Sequence, residues 1–166
     1  MRRVRAACNA PGAPRFNLML AGAQKSGTGS LAALLHRHPD VFAYGVDTWT
    51  GPSVYGREHG FGAREPHFFD QEPAYRRGTA YYNCFLLKDA PPGLRWYADK
   101  TPEYMTDPLY LRRIYSYDPE AKILIVLRDP VTRLRSIYNH MKQTNTSWAG
   151  DLVRASAELT GNTPRS

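Results

Sequence analysis

The run Gly22-Ala-Gln-Lys25-Ser26-Gly27-Thr28-Gly29-Ser30-Leu31 constrains the fold more than any other stretch of the chain. An apolar segment, Phe16-Asn-Leu-Met-Leu-Ala21, feeds it, and Leu31, Leu34 and Leu35 follow at helical spacing. The pattern reads as a buried strand, a Gly-rich turn and an amphipathic helix. Such a turn aims several backbone N–H groups and the positive end of the helix at one spot, which suits a phosphate or sulfate. Lys25 and the hydroxyls of Ser26, Thr28 and Ser30 add charge and donors there. A plain strand–turn–helix connection, with Gly for tightness and Ser or Thr as caps, is the other reading of the loop alone.

The loop departs from the Walker A pattern, in which Lys follows the last Gly directly. Here Thr28 follows Gly27 and Lys25 lies inside the loop. A lysine in that place can meet the oxygen that bridges a phosphate to the group being transferred.

Further along, residues 41–44 read as a short second strand and residues 45–63 as a loop rich in Gly, Pro and aromatics. Residues 64–70 read as an extended segment, with a short helix near 74–80. Residues 96–100 form a strand running into Thr101-Pro102. A helix follows Asp107-Pro108, with Leu109, Ile114 and Tyr115 on its inner side. Residues 122–128 give the clearest strand, apolar on both faces as a central parallel strand should be. Asp129-Pro130 then supplies an N-cap and a proline at the first helical position. Val131, Leu134, Ile137, Tyr138 and Met141 trace the apolar face of that helix, and a weak helical stretch covers residues 150–159. Strands alternating with helices predict an α/β domain, P-loop-like, with a central, mostly parallel sheet flanked by helices. Residues 1–15 read as a flexible basic arm and residues 16–166 as the domain.

With 166 residues, one domain with a usable core is expected. The formal net charge of +7 favours an anionic ligand without choosing among nucleic acid, acidic polysaccharide and nucleotide. Cys8 and Cys84 form neither a disulfide framework nor a metal pattern, and unpaired thiols are expected. No apolar run nears the roughly 20 residues of a membrane span.

Arg128 follows the clearest strand, where ligands of open α/β sheets collect, and Ser136 lies off the apolar face of the next helix. An Arg and a Ser so spaced can share one phosphate through guanidinium fork and hydroxyl. Alternatively Arg128 pairs with Asp129 or Asp99, and Ser136 is a solvated surface residue.

Two oxyanion sites in this order resemble the PAPS-dependent sulfotransferases. Gln24-Lys25-Ser26-Gly27-Thr28-Gly29-Ser30-Leu31 resembles that family's loop for the 5′-phosphosulfate, and Leu127-Arg128-Asp129-Pro130 through Ser136 its site for the 3′-phosphate. Arg64-Glu65-Pro66-His67-Phe68-Phe69-Asp70 and Asp99-Lys100-Thr101-Pro102-Glu103-Tyr104 resemble motifs of the glycosaminoglycan O-sulfotransferases. The nearest types are those acting at the 3-O position of heparan sulfate and at position 6 of sulfated N-acetylgalactosamine.

The resemblance implies roles residue by residue. Lys25 would contact the bridging oxygen; the amides of Gly27, Thr28, Gly29 and Ser30, beside Ser26, would hold the 5′-phosphate; Arg128 and Ser136 would hold the 3′-phosphate. Glu65 would be the base that takes the acceptor proton, with His67 as the alternative base. Arg64, His67 and Asp70 would lie near the acceptor sugar, and Lys100 near the transferring sulfuryl group. Transfer to a sugar hydroxyl needs such a base, and cations where charge builds on the leaving group. In an extended segment Glu65 and His67 project to one face; as a purely structural pair, Glu65 would instead meet Arg64 or Lys100.

Gly29 stands where many relatives carry Thr, and Asp99 where Glu is commoner. The implied cofactor is PAPS, with PAP as product and no metal. The implied partner is an anionic glycan rather than nucleic acid, and the implied compartment is the Golgi lumen, for which this chain displays no anchor. Relatives continue past Trp148, so the chain reads as the N-terminal part of the family's domain. The same residues admit two other functions: a P-loop nucleotide kinase or NTPase, disfavoured by the place of Lys25, and a non-catalytic anion- or glycan-binding module.

Overall fold

The computed structural model of the chain describes residues 13–46, 65–87 and 90–144. By its internal contacts the chain divides into two compact units, Met1–Leu127 and Arg128–Ser166.

Among the described residues the first unit is built on four strands: β1 (Leu18–Gly22), β2 (Val41–Ala43), β3 (Trp96–Lys100) and β4 (Lys122–Ile125). Their order in the sheet is β2-β3-β1-β4, and every neighbouring pair is parallel. Leu18, Met19 and Leu20 of β1 stand opposite Ala98, Asp99 and Lys100 of β3. The carboxyl ends of β1 and β3 therefore lie side by side, the edge where loops of a parallel sheet gather ligand-binding groups.

Because strand side chains alternate, each strand feeds two layers. Leu20, Ala43 and Ala98 face helix α1 (Thr28–His36) and pack with Ala32, with Leu18, Leu31 and Leu35 at the margin. Phe16, Met19, Ala21 and Tyr97 face the other way, into an aromatic cluster with Phe68, Phe69, Tyr82, Tyr104 and Ile114. That second layer is carried by α2 (Glu72–Tyr75), α3 (Gly78–Leu86), a 3-10 turn (Pro102–Thr106) and α4 (Pro108–Tyr117). Tyr82 stacks on both Phe68 and Phe16, with ring centroids 4.3 and 4.5 Å apart. Aromatic pairs of this kind add about 0.5–1.5 kcal/mol each beyond burial.

Local signals set the starts of helices as expected. Asp107 caps α4 by accepting from the Leu109 amide at 2.7 Å, with Pro108 at the first position. In the second unit Asp129 accepts from the amide of Thr132 at 2.8 Å and from its hydroxyl at 2.6 Å, at the start of α5 (Pro130–Thr144).

Several expectations are corrected. The strand at 122–128 ends as β4 at Ile125 and lies at the edge of the sheet, not its centre. Ile123 and Ile125 are 46% and 44% exposed: an apolar run reads as buried whichever place it takes, and only strand order decides. In α4, Leu109 and Tyr115 are exposed while Tyr110, Leu111, Ile114 and Tyr117 meet the core, so the inner face is rotated. In α1, Leu34 is exposed and Ala32 takes its place. The single short helix near 74–80 is two, α2 and α3, and Cys84 of α3 is disulfide-bonded, not an unpaired thiol.

Residues 1–12 of the basic arm, residues 47–64 and the helical stretch at 150–159 lie outside the described residues. Arg15, at the end of the arm, lies over the ring of Tyr117, 5.6 Å from its centroid. Among the described residues no helix is long and apolar enough to cross a membrane.

Candidate active site

Two groups of residues meet at the carboxyl edge of β1 and β3. The first is the loop that joins β1 to α1. Lys25 and Gly27 both take left-handed backbone conformations, at φ +62° and +96°. Gly27 caps α1 without a side chain, and the first turn holds no acidic residue. Gly27, Gly29 and Ser30 are exposed, so the amino end of the helix opens outward with its positive pole unneutralised by a carboxylate of its own first turn. Ser26 is buried, and its hydroxyl oxygen has no hydrogen-bond partner among the described residues. A buried hydroxyl left unpaired costs on the order of 1–3 kcal/mol, a cost that a bound oxyanion would remove.

The second group is a chain of charges. Lys100 closes β3, and its Nζ lies 2.7 Å from Oε1 of Glu65. The other Glu65 oxygen is 3.3 Å from Nε2 of His67, whose Nδ1 is 2.7 Å from Oδ2 of Asp70. Lys100, Glu65 and His67 are partly buried, and the Asp70 side chain is 2% exposed. The second Asp70 oxygen, Oδ1, is buried without a partner among the described residues.

These contacts set the protonation states. Burial alone raises the Glu65 carboxyl, but hydrogen bonds from His67 and Lys100 and their charges outweigh it and hold the group below its ordinary value. Burial alone lowers the His67 imidazole; the carboxylates of Asp70 and Glu65 overcome it and raise the group to about 10. At neutral pH the pair is therefore a carboxylate and an imidazolium. His67 has no free lone pair, and Glu65 remains as the group able to accept a proton. Each of its oxygens retains acceptor capacity beside the bond it already makes.

The approach of Glu65 to His67 does not come from strand alternation. Residues 65–67 lead into a turn at 68–70, and His67 is left-handed at φ +47°. The extended reading of this segment fails at His67, because a positive φ on a residue other than Gly leaves no mark in sequence. The turn is held from below. Phe68 N–H donates to the Tyr104 hydroxyl at 3.0 Å, and the Arg113 guanidinium of α4 donates to the Phe69 carbonyl at 2.8 Å.

Sequence reasoning missed what supports the site. Asp99, wholly buried, accepts from Tyr82 (2.5 Å), Tyr104 (2.8 Å) and Thr101 (2.7 Å). The signal was an acidic residue on the inward side of an apolar strand. A second missed contact stitches the two groups together: Gln24 Nε2 donates to Glu103 of the 3-10 turn at 2.8 Å. Gly22 lies so near that turn that a Cβ on it would sit 2.1 Å from Met105 Sδ.

The site residues thus fall as follows. Lys25, Ser26, Gly27, Thr28, Gly29 and Ser30 form the loop and helix start; Glu65, His67, Asp70 and Lys100 form one contiguous chain beside it. Arg64 lies outside the described residues. Arg128 and Ser136 belong to the second unit, Arg128 before α5 and Ser136 within it.

Comparison with known proteins gives a consistent result. Residues 18–162 match the family described as "Sulfotransferase family". The chain is 34% identical over 129 residues to heparan sulfate glucosamine 3-O-sulfotransferase 6 of Homo sapiens, covering 77% of this chain and 31% of that protein. It is 32% identical over 120 residues to the 3B1 enzyme of Mus musculus, covering 72% and 25%. The crystal structure of a sulfotransferase from Alicyclobacillus acidocaldarius superimposes with a TM-score of 0.55 at 27% identity, over 91% of this chain and 61% of that one. The chain spans about a third or less of the length of these curated relatives. By the span of the family match and the shared fold, the chain belongs to the sulfotransferase family.

Proposed function

We propose that the chain carries the donor-binding and base-bearing part of a sulfotransferase that transfers a sulfuryl group from PAPS to a hydroxyl of a glycosaminoglycan-like glycan. The observation that carries this reading is the Glu65 carboxylate, held ionised between Lys100 and His67 at the sheet edge that also bears the β1–α1 loop.

The loop suits the donor's 5′ end. The exposed start of α1 and the unpartnered Ser26 hydroxyl are donors for phosphate oxygens, and Lys25 supplies a cation beside them. In this reading the amides of Gly27, Thr28, Gly29 and Ser30 hold the 5′-phosphate, and Lys25 stabilises charge on the bridging oxygen. PAPS, when bound, supplies an activated sulfuryl group on that oxygen. On the second unit, Arg128 and Ser136 serve the 3′-phosphate, an assignment supported by the sequence resemblance.

Glu65 acts as base. It is ionised, whereas the imidazole is already protonated, so the alternative base is disfavoured. His67 then works as an electrostatic neighbour, oriented by Asp70, and Lys100 as a cation near the group in transfer. The relatives named for heparan sulfate favour an anionic glycan acceptor. A luminal Golgi site of action belongs to the same proposal. Nothing in the geometry favours the kinase or NTPase reading.

The test is a comparison of the wild-type chain with Glu65→Gln. PAP is expected to bind both alike, and labelled sulfuryl transfer from PAPS to heparan-type glycans to occur only with the wild type. Transfer retained by the variant would remove Glu65 from the role of base.

A further inference from the structure

The left-handed turn that brings Glu65, His67 and Asp70 together is fastened by two hydroxyls. The backbone N–H of His67 donates to Thr101 Oγ1 at 3.3 Å, and that of Phe68 donates to the Tyr104 hydroxyl at 3.0 Å. A hydroxyl has one proton and two lone pairs, so it accepts from an amide and still places its own proton elsewhere. Both protons go to one place: Thr101 donates to Asp99 Oδ1 at 2.7 Å and Tyr104 to Asp99 Oδ2 at 2.8 Å. Tyr82 adds a third donor at 2.5 Å. Asp99, Thr101, Tyr104 and Tyr82 are each fully buried.

We propose that Asp99 is a positioning residue for the transfer site: its buried carboxylate takes the hydroxyl protons of Thr101 and Tyr104, fixes both oxygens as acceptors, and so clamps the amides of His67 and Phe68. The proposal rests on the reading of Glu65 as base and names what holds that base in place. Strained backbone persists only where its surroundings over-determine it, and the strained residue here is His67 itself, flanked by the two clamped amides. A buried carboxylate is costly unless fully hydrogen-bonded, and an apolar side chain at position 99 would pack without that cost. What the apolar residue would not do is orient two hydroxyls. Asparagine in its place brings its own N–H groups, so at least one hydroxyl would have to accept from it and would lose the acceptor that now fixes its proton.

The experiment uses Thr101→Val, Thr101→Ser, Tyr104→Phe and Asp99→Asn, with PAP affinity, kcat and KM for PAPS, and the titration of the His67 imidazole by NMR. Thr101→Val and Tyr104→Phe are expected to lower kcat about tenfold or more, the order expected when reacting groups shift by a fraction of an ångström. PAP affinity should stay within about twofold, because the clamp does not touch the donor loop. The His67 midpoint should fall from near 10 toward its ordinary value as the imidazole slips from between its carboxylates. Thr101→Ser, which retains the hydroxyl, should restore both. Folded variants with unchanged kcat and unchanged His67 midpoint overturn the proposal, as does a parallel loss of PAP affinity and kcat, which marks general unfolding. Should Asp99→Asn not fold, the Thr101 and Tyr104 variants decide. A wild type that binds PAP but transfers nothing overturns the base reading, while the His67 titration still tests the clamp.

Discussion

Glu65 offers one oxygen to Lys100 Nζ at 2.7 Å and the other to His67 Nε2 at 3.3 Å, so one carboxylate bridges a strand-end cation and a turn cation. An isolated pair of this kind is an ordinary structural ion pair. The arrangement differs in that the imidazole is charged through a second carboxylate, Asp70, and that the triad borders a helix start free of acidic residues.

From the first relation, Glu65→Gln should lower the transfer rate by roughly 10²-fold or more, the usual share of a general base. Its PAP affinity should equal the wild type's within about twofold, since Glu65 lies outside the donor loop. Steady-state kinetics and PAP calorimetry on the same sample check both halves.

The imidazole gives a pH prediction. His67 titrates near 10 in the fold, above its ordinary 6.5, so its charge stabilises the folded state. That contribution is whole below about pH 6.5 and disappears as pH climbs to about 10. The difference in Tm between wild type and His67→Gln should be widest near pH 6.5 and close by pH 10. A difference that does not change with pH contradicts the imidazolium.

Lys100 holds Glu65 in its ionised form. Replacing it by Met removes a bonded cation, and the Glu65 carboxyl, now held below its ordinary value, should rise. The acid limb of kcat/KM is expected at higher pH in Lys100→Met than in wild type, together with a rate loss of about 10²-fold from the missing charge. An acid limb that stays in place would detach Lys100 from Glu65.

Two glycines of the loop should respond with opposite signs. Gly27 has open space around it but sits at φ +96°, so Gly27→Ala meets no clash and still strains the backbone, at a cost of about 1–2 kcal/mol. Gly29 lies inside α1, where a Cβ also meets nothing, and Gly29→Ala should stabilise by about 0.5–1 kcal/mol. Urea unfolding of the two variants checks the pair.

Two strands and two helix starts were legible because their signals are local: the apolar segment at 16–21, the short strand at 96–100, and Asp-Pro at 107 and 129. Glu65, His67, Asp70 and Lys100 were legible as a set through family motifs, and the Glu65–Lys100 pair as one alternative, but not the link from His67 to Asp70. What escaped depends on distant partners. Whether β4 is central depends on which strands flank it, and the inner faces of α1 and α4 depend on what they pack against. The Asp99 network joins Tyr82, Thr101 and Tyr104 across a fold that residue spacing does not describe. The turn at His67 rests on a backbone conformation that its side chain does not announce.

A titration of the folded chain with PAP, followed by calorimetry and by the shift in Tm, tests the central claim most directly. The account predicts one saturable site that raises Tm and is weakened by Lys25→Ala and by Gly27→Ala, but not by Glu65→Gln. A folded chain that takes up no PAP, or whose PAP affinity is indifferent to the loop, would contradict it.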